Sequence, residues 1–385
     1  MKPFHEQIGN APELAIAICL LFLCVNGCST GVRQGLPEAK VPLQILEPSV
    51  SPSSFNPTLK EGIEIAYRLT KDSGVTIKVF DPDYGLVNTV VQDQEQPLGT
   101  NRISWDGSDT EGKIVPDQAY FFTIEAKSRG EQAIYDPTTF SGGEEVDITD
   151  VNMDEIANTV SFGLPKAAWV LGRIGIRDGP LLKTLLDWEP RPEGSNTAYW
   201  NGKDESGVAE VVTQPGFSMM VTTMFLPENS VIAVGNHEVT YHEYKVRSNK
   251  QGEPKQKREE MPRTEAIKFS RHRDLTRYSD RAPRFSVSLP SITEFTPTGL
   301  PIIRGKTPLR VLIEEADLAF LTGQRYEIAL YVDFELYAEE EVGYSPFNWM
   351  WDTQGLPEGE HVLTVNVVSL NDQVGARSLK FVIQE

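Results

Sequence analysis

The sequence predicts an all-β protein made of β-sandwiches in tandem. Apolar residues alternate with polar ones in several stretches, the period of strands that turn one face to a core. Examples are Ile63–Leu69, 75–79 and 120–126. Clusters of Asp, Gly and Pro separate these stretches, as in a sandwich of short strands. No convincing helical period follows the first 28 residues, and the best helical candidate is the short acidic segment 144–156.

The chain also repeats itself. Trp105 and Trp200 lie 95 positions apart, and this offset aligns about fifty residues without a gap. Gly99, Asn101, Trp105, Gly107, Asp109 and Gly112 correspond to Gly194, Asn196, Trp200, Gly202, Asp204 and Gly207. A duplicated domain of about 90 to 100 residues is the simplest explanation of this repeat.

Several motifs of the first copy carry a family resemblance. They are Phe55-Asn56-Pro57, Tyr67-Arg68-Leu69, Val79-Phe80-Asp81 with Gly85, and Trp105-Asp106-Gly107-Ser108-Asp109 before Ala119-Tyr120-Phe121. These motifs resemble the immunoglobulin-like domain of the flagellar hook-capping protein. The second copy is degenerate, with Asn201 in place of Asp106. The resemblance implies an immunoglobulin-like fold but no role, because one fold serves many functions.

A third unit begins at about residue 285 and leaves the 95-residue register. Alternation from Tyr326 to Leu336 predicts one long half-buried strand. The Trp351-Asp352-Thr353 turn and the Gly359-Glu360-His361 step resemble other bacterial immunoglobulin-like domains. We therefore expect three tandem immunoglobulin-like β-sandwich domains behind a lipoprotein signal peptide. The expected organisation is a signal peptide at 1–27, a tether at 28–45, domain 1 at 46–135, domain 2 at 140–245, a basic linker or hairpin loop at 246–284, and domain 3 at 285–385.

The N-terminal region resembles a bacterial lipoprotein signal peptide. Residues 14–25 are uncharged, yet a helix of this length spans only about 18 Å, too short for a hydrocarbon core of about 30 Å. Gly27 precedes Cys28 as the small residue of a lipobox does, which implies lipidation of Cys28. Ser29 resembles the outer-membrane sorting pattern. Ordinary secretion and an internal start codon are the alternatives.

The charge of the chain is uneven. Its formal net charge of −19 argues against nucleic-acid binding, which needs a cationic surface. Between Tyr241 and Arg284, however, thirteen Lys and Arg face seven Asp and Glu. Two interpretations remain, a solvated linker with the composition of an unfolded loop, or a contact for an anionic glycan, lipid or envelope protein. The contact candidates are Lys255, Lys257, Arg258, Arg271 and Arg273.

Metal sites have few candidates. Asp106, Asp109 and Glu111 share one turn and are calcium candidates, although Asp and Gly also form such turns for local reasons. His237 and His242 are five residues apart, and in the strand that we expect here they would point to opposite faces, which argues against zinc. His361 is expected at the rim of a sandwich. We expect no cofactor.

The sequence contains no nucleophile elbow, phosphate-binding loop or Cys-rich metal motif, so we expect no enzyme. The expected role is a non-enzymatic, membrane-anchored binding or assembly scaffold at the bacterial cell envelope, on the outer membrane. A carbohydrate-binding or accessory module of an extracellular enzyme system is the alternative. A flagellar cap assembles without a lipid anchor, which argues against that role. The tryptophans that could line a glycan site are Trp105, Trp169, Trp188, Trp200, Trp349 and Trp351. Trp105 and Trp200 recur at the same repeat position, however, which favours the cores for most of them.

Overall fold

The computed structural model describes residues 41–250, 282–369 and 373–384. Paired sheets form β-sandwiches in tandem, which confirms the all-β prediction. In these residues no helix is both long and apolar enough to cross a bilayer.

The first sandwich packs a three-stranded sheet, β1-β3-β6, against a larger sheet in the order β2-β16-β7-β4-β5, with β8 also paired to β7. Its core contains Tyr67, Trp105 and Tyr120. The strands are β1 Ile45–Ser51, β2 Ser54–Phe55, β3 Ile63–Leu69, β4 Ser73–Phe80, β5 Leu86–Gln96, β6 Gly99–Trp105, β7 Gln118–Ser128, β8 Glu131–Tyr135 and, from much later in the chain, β16 Val231–Ala233.

The second sandwich has the sheets β10-β11-β14 and β13-β12-β15-β9. Its strands are β9 Glu145–Ile148, β10 Val151–Asp154, β11 Thr159–Leu164, β12 Ala168–Ile176, β13 Leu181–Arg191, β14 Gly194–Tyr199 and β15 Phe217–Phe225. The best helical candidate, 144–156, is not a helix, because β9 and β10 occupy this segment. Val146 and Ile148 alternate with acidic residues and are partly buried against the core. In a strand these two residues share one face, whereas in a helix residues two apart point in different directions.

The duplication is reproduced in atomic detail. Strands β5 and β13 have the same bounds, 95 positions apart. The indole Nε1 of Trp105 donates to the Ser108 carbonyl at 2.9 Å, and that of Trp200 donates to the Lys203 carbonyl at 2.7 Å. Asn101 and Asn196 also make matching bonds to the carbonyls two and four residues before them. The shared residues therefore fix the same turns in both copies.

The first sandwich is completed by residues that follow the second one. Strand β16 pairs antiparallel with β7 and parallel with β2, and its Val231 and Ala233 belong to the first core. The predicted range 140–245 for domain 2 therefore differs from the structure. Strands β8 and β16 both pair with β7 and so belong to the first sandwich. The second sandwich, which lies between them in the chain, is therefore an insertion in the first.

The third sandwich packs β17-β19-β22 against β18-β24-β23-β20-β21. The predicted strand from Tyr326 to Leu336 is wrong, since Asp333 and Phe334 both have positive φ, 50° and 71°, and turn the chain into a hairpin. Trp351 and Phe381 lie in the core. The elements are β17 Phe285–Ser288, β18 Ile302–Ile303, β19 Lys306–Ile313, helix α2 Glu315–Gln324, β20 Tyr326–Val332, β21 Glu335–Glu340, β22 Phe347–Asp352, β23 Gly359–Ser369 and β24 Val374–Ile383.

Candidate functional site: the charged anchor of the basic segment

A short helix, α1 Tyr241–Lys250, leads from β16 into the basic segment. A capping box starts it: Thr240 N–H donates to Glu243 Oε2 at 2.9 Å, and Glu243 N–H donates to Thr240 Oγ1 at 3.2 Å. The strand expected around His237 and His242 is therefore wrong. The Thr-Tyr-His-Glu sequence contained this helix start signal.

One face of α1 carries three polar side chains at positions three and four apart, and all three reach acidic residues of the first sandwich. Tyr241 donates to Asp83 Oδ2 at 2.8 Å and Tyr244 to Asp109 Oδ2 at 3.4 Å. Lys245 Nζ lies 2.6 Å from Asp81 Oδ2 and 3.9 Å from Asp83 Oδ2. We call these six residues the anchor.

The turn after β4 shapes the acidic side of the anchor. Asp81 Oδ1 accepts from the N–H groups of Asp83 and Gly85, at 2.9 and 2.8 Å, which leaves Oδ2 for Lys245. A Cβ at Gly85 would lie 2.7 Å from Asp81 Oδ2 and 2.8 Å from Lys245 Nζ. A side chain at this position would therefore displace Asp81 and Lys245 from their ion pair.

The anchor is almost removed from water. The Lys245 side chain is 12% exposed and that of Asp81 is 4% exposed. Burial raises the pKa of Asp81, while the Lys245 ammonium opposes this by attraction and hydrogen bonding. Burial also raises the pKa of Tyr241 and of Tyr244, which keeps both phenols protonated as donors. Removing one charge of such a buried pair leaves the other uncompensated.

The far end of the basic segment is held as well. Ala282 N–H donates to Asp187 Oδ2 of the second sandwich at 2.9 Å. The Arg284 Nε lies 3.2 Å from Asp317 Oδ2 and 3.2 Å from Glu314 Oε2, both in the third sandwich. Residues 246–284, predicted as a linker or loop, thus begin and end at fixed contacts.

The principal binding residues predicted from the sequence lie outside the described residues. They are Cys28, the predicted lipidation site, and the five basic residues predicted to contact an anionic partner. The basic candidates are Lys255, Lys257, Arg258, Arg271 and Arg273.

The calcium candidates are described, and their oxygens bind within the protein. Asp106 Oδ1 accepts from Ser108, and Asp109 Oδ1 accepts from the N–H groups of Glu111 and Lys113. Glu111 pairs with Lys113 Nζ at 2.5 Å. Across the described part of the chain, no three His, Cys, Asp or Glu gather in a way that could hold a metal ion.

None of the six tryptophans is exposed. Trp105, Trp200 and Trp351 are at most 2% exposed and fill the three cores. Trp169 is 8% exposed and lies between the first two sandwiches, where its Nε1 donates to Gln118 Oε1 at 2.7 Å. Trp188 and Trp349 are half-buried.

The second and third sandwiches contact each other through the β20–β21 turn and the outer face of β23. Phe334 packs on the core of the second sandwich around Trp200. Asn366 Oδ1 accepts from Leu181 N–H at 3.0 Å, and its amide donates to the Leu181 carbonyl at 2.8 Å. No local pattern indicates this interface, because Leu181 and Asn366 are 185 positions apart.

His361 is 6% exposed and braces this turn through both of its ring nitrogens. Its Nδ1 lies 2.6 Å from Asp333 Oδ2 and its Nε2 lies 2.8 Å from the Pro357 carbonyl. Both partners are acceptors, so only the doubly protonated ring satisfies both bonds. Burial lowers the pKa of His361, but the bonds to Asp333 and Pro357 outweigh it and the net pKa is raised.

We expect the third sandwich to lose stability as the pH rises. Because the pKa of His361 is higher in the folded than in the unfolded chain, its protonation stabilises the fold. This stabilisation is complete below the unfolded pKa of about 6.5 and is lost as the pH rises through the folded pKa. The loss should be about 1 kcal/mol, since Asp333 is half-exposed. Thermal melts between about pH 5.5 and 8.5 measure it. Asp333→Asn keeps the Oδ1 acceptor for Val362 N–H, so an unchanged pH dependence in that variant contradicts the assignment.

Comparisons with known proteins identify no family for this chain. No family model matches the chain, and no curated protein matches it. A tetra-tandem repeat in the extending region of a large adhesion protein matches at 13% identity and TM-score 0.19, covering 89% of this chain and 74% of that chain. A structure of a bacterial ice-binding adhesin matches at 14% identity and TM-score 0.17, covering 89% of this chain and 99% of that chain. The central fibronectin-III array of RIM-binding protein matches at 10% identity and TM-score 0.17, covering 91% of this chain and 100% of that chain.

Proposed function

We propose that this chain is a non-enzymatic scaffold of the bacterial cell envelope, anchored by lipid on Cys28 in the outer membrane. In this proposal the sandwiches hold the basic segment towards an anionic partner, a glycan, a lipid head group or an envelope protein. The observation that supports it best is that both ends of this segment are fixed. Lys245 is buried against Asp81 at one end, and Arg284 meets Asp317 at the other.

Fixed ends suit a binding loop. A segment held at two points explores less space than a free tail, so less entropy is lost when it binds. The surrounding sandwiches are acidic overall, which makes thirteen Lys and Arg in one stretch distinctive. A simple spacer would need neither the buried charge pair nor this composition.

Lipidation has a direct test. The diacylglycerol and the amide-linked acyl chain of a mature lipoprotein provide more than the single chain that binds membranes only marginally. We expect Cys28→Ala to give an unprocessed precursor or a soluble product in membrane fractionation. A wild-type mass without acyl groups, together with normal fractionation of the variant, would disprove the anchor.

The basic segment has a second test, on the soluble Cys28→Ala chain. We expect it to sediment with phosphatidylcholine vesicles only when phosphatidylglycerol is included, and the binding should fade with salt. Replacing Lys255, Lys257 and Arg258 by Gln should abolish it. The charge-matched control replaces Lys113, Lys127 and Lys203, all surface lysines of the sandwiches. Equal loss in both variants would show nonspecific attraction and count against the proposed contact.

The tryptophans do not support the carbohydrate alternative. A sugar site of this kind needs exposed aromatic faces, and all six tryptophans are buried or half-buried. A glycan array still separates the two roles, since only an accessory module gives retention that depends on the sugar.

A further inference from the structure

Strand β21 is a free edge of the third sandwich. It pairs with β20 on one side, and the described residues provide no strand on its other side. An unpaired edge offers a row of backbone N–H and C=O groups to any extended chain. The opposite edge of the same sheet is only the two-residue strand β18, so β21 is the longer template.

The side chains of β21 are unusually open for a strand. Glu335, Leu336 and Tyr337 are exposed in succession, with Leu336 at 58% and Tyr337 at 39%. Val342, just after the strand, is 62% exposed. Tyr337 is held in place, because its hydroxyl donates to the Asp352 carbonyl at 2.5 Å and its ring meets Trp351 edge-on at 6.2 Å. The edge therefore presents ordered apolar surface.

The charge of this edge is strongly one-sided. From Tyr326 to Ala376 the sequence has no Lys or Arg and ten Asp and Glu. Glu335 and Glu339 are exposed on β21, and Glu340 and Glu341 follow them. Natural edges are often protected by charge, and here two copies of β21 would repel each other. A cationic strand meets no such repulsion.

We propose that β21 binds an extended, cationic and apolar segment of a partner protein by strand addition. The partner's main chain pairs with the edge, its apolar side chains cover Leu336 and Tyr337, and its Lys or Arg side chains meet Glu335 and Glu339. The register shift in β21 places Leu336 and Glu339 on one face of the strand, with Glu335 and Tyr337 on the other, so each face offers one acidic and one apolar side chain. A segment that repeats Lys-Lys-Val-Val carries Lys and Val on both of its faces and satisfies both sets of contacts. This surface is separate from the basic segment and takes a partner of opposite charge.

The test uses the full Cys28→Ala chain and a fluorescent peptide that repeats Lys-Lys-Val-Val, followed by anisotropy. We expect saturable binding to the wild-type sequence of β21. Glu335→Lys with Glu339→Lys should weaken it at least roughly tenfold, since two attractions become repulsions. The control is Glu294→Lys with Glu315→Lys, which changes net charge equally on exposed sites of the same sandwich away from β21. Binding that falls equally in both overturns the proposal.

A second peptide separates strand addition from simple charge attraction. Proline in place of every Val keeps the lysines but removes main-chain donors along both edges of the peptide, so it should not bind. Equal affinity for both peptides overturns the proposal. Two further results would also overturn it. One is peptide binding that appears only after Lys255, Lys257 and Arg258 are neutralised, which makes the chain's own segment the occupant. The other is salt-sensitive self-association, which makes a second copy the occupant.

Discussion

Trp105→Ala and Trp200→Ala should each destabilise their own sandwich by about 3–5 kcal/mol. Trp105 is 2% exposed and meets Phe55 and Tyr120 edge-on, each with 5.7 Å between ring centroids. Trp200 is 1% exposed and stacks on Phe217 at 5.9 Å. Truncation removes this packing and also the indole bond that closes the following turn. Differential scanning calorimetry of the full chain measures both effects.

Trp349→Ala is the matched control, because this ring is half-buried at the edge of the third sandwich. Its effect should be clearly smaller and confined to that sandwich. If Trp105→Ala or Trp200→Ala melts like wild type and loses glycan binding, the ring is at the surface and the carbohydrate role gains.

Lys245→Met should destabilise the first sandwich by about 3–5 kcal/mol, because Asp81 then remains buried without its cation. Hydrogen exchange should rise throughout α1, which loses its strongest contact. Calorimetry and exchange together locate the loss.

Two variants control this result. Lys245→Met with Asp81→Asn removes both charges and keeps the Oδ1 acceptor for the turn, so it should recover much of the stability. Lys203→Met breaks the exposed Lys203–Glu210 pair, 3.2 Å apart, and should cost less than about 1 kcal/mol. A Lys245→Met effect no larger than that of Lys203→Met would show that the anchor does not hold α1.

The fold class could be predicted because local signals agree with it. Alternation placed Ile65 and Tyr67 in one core, and the 95-residue repeat placed Trp200 in the next. The failures come from contacts distant in sequence. Nothing near Val231 indicates that it returns to β7, since Tyr120 lies more than a hundred positions earlier.

Only part of the anchor could be predicted from the sequence. Tyr241, Tyr244 and Lys245 have helical spacing, but Tyr241 next to Val239 also suits a strand. The capping box around Thr240 was the local signal that decides for a helix. Their acidic partners on the turn after β4 could not be inferred, because no local pattern pairs Lys245 with Asp81 across 164 positions.

The insertion of the second sandwich between β8 and β16 has a mechanical consequence. The chain enters the second sandwich from the first and returns to it before continuing to the third. Tension applied between the two termini is therefore transmitted through β16 and α1 of the first sandwich, and the covalent path through the inserted sandwich carries no load while β16 stays paired. Were the proposed lipid anchor on Cys28 to hold one end, force would reach the inserted sandwich along the chain itself only after the first sandwich gives way.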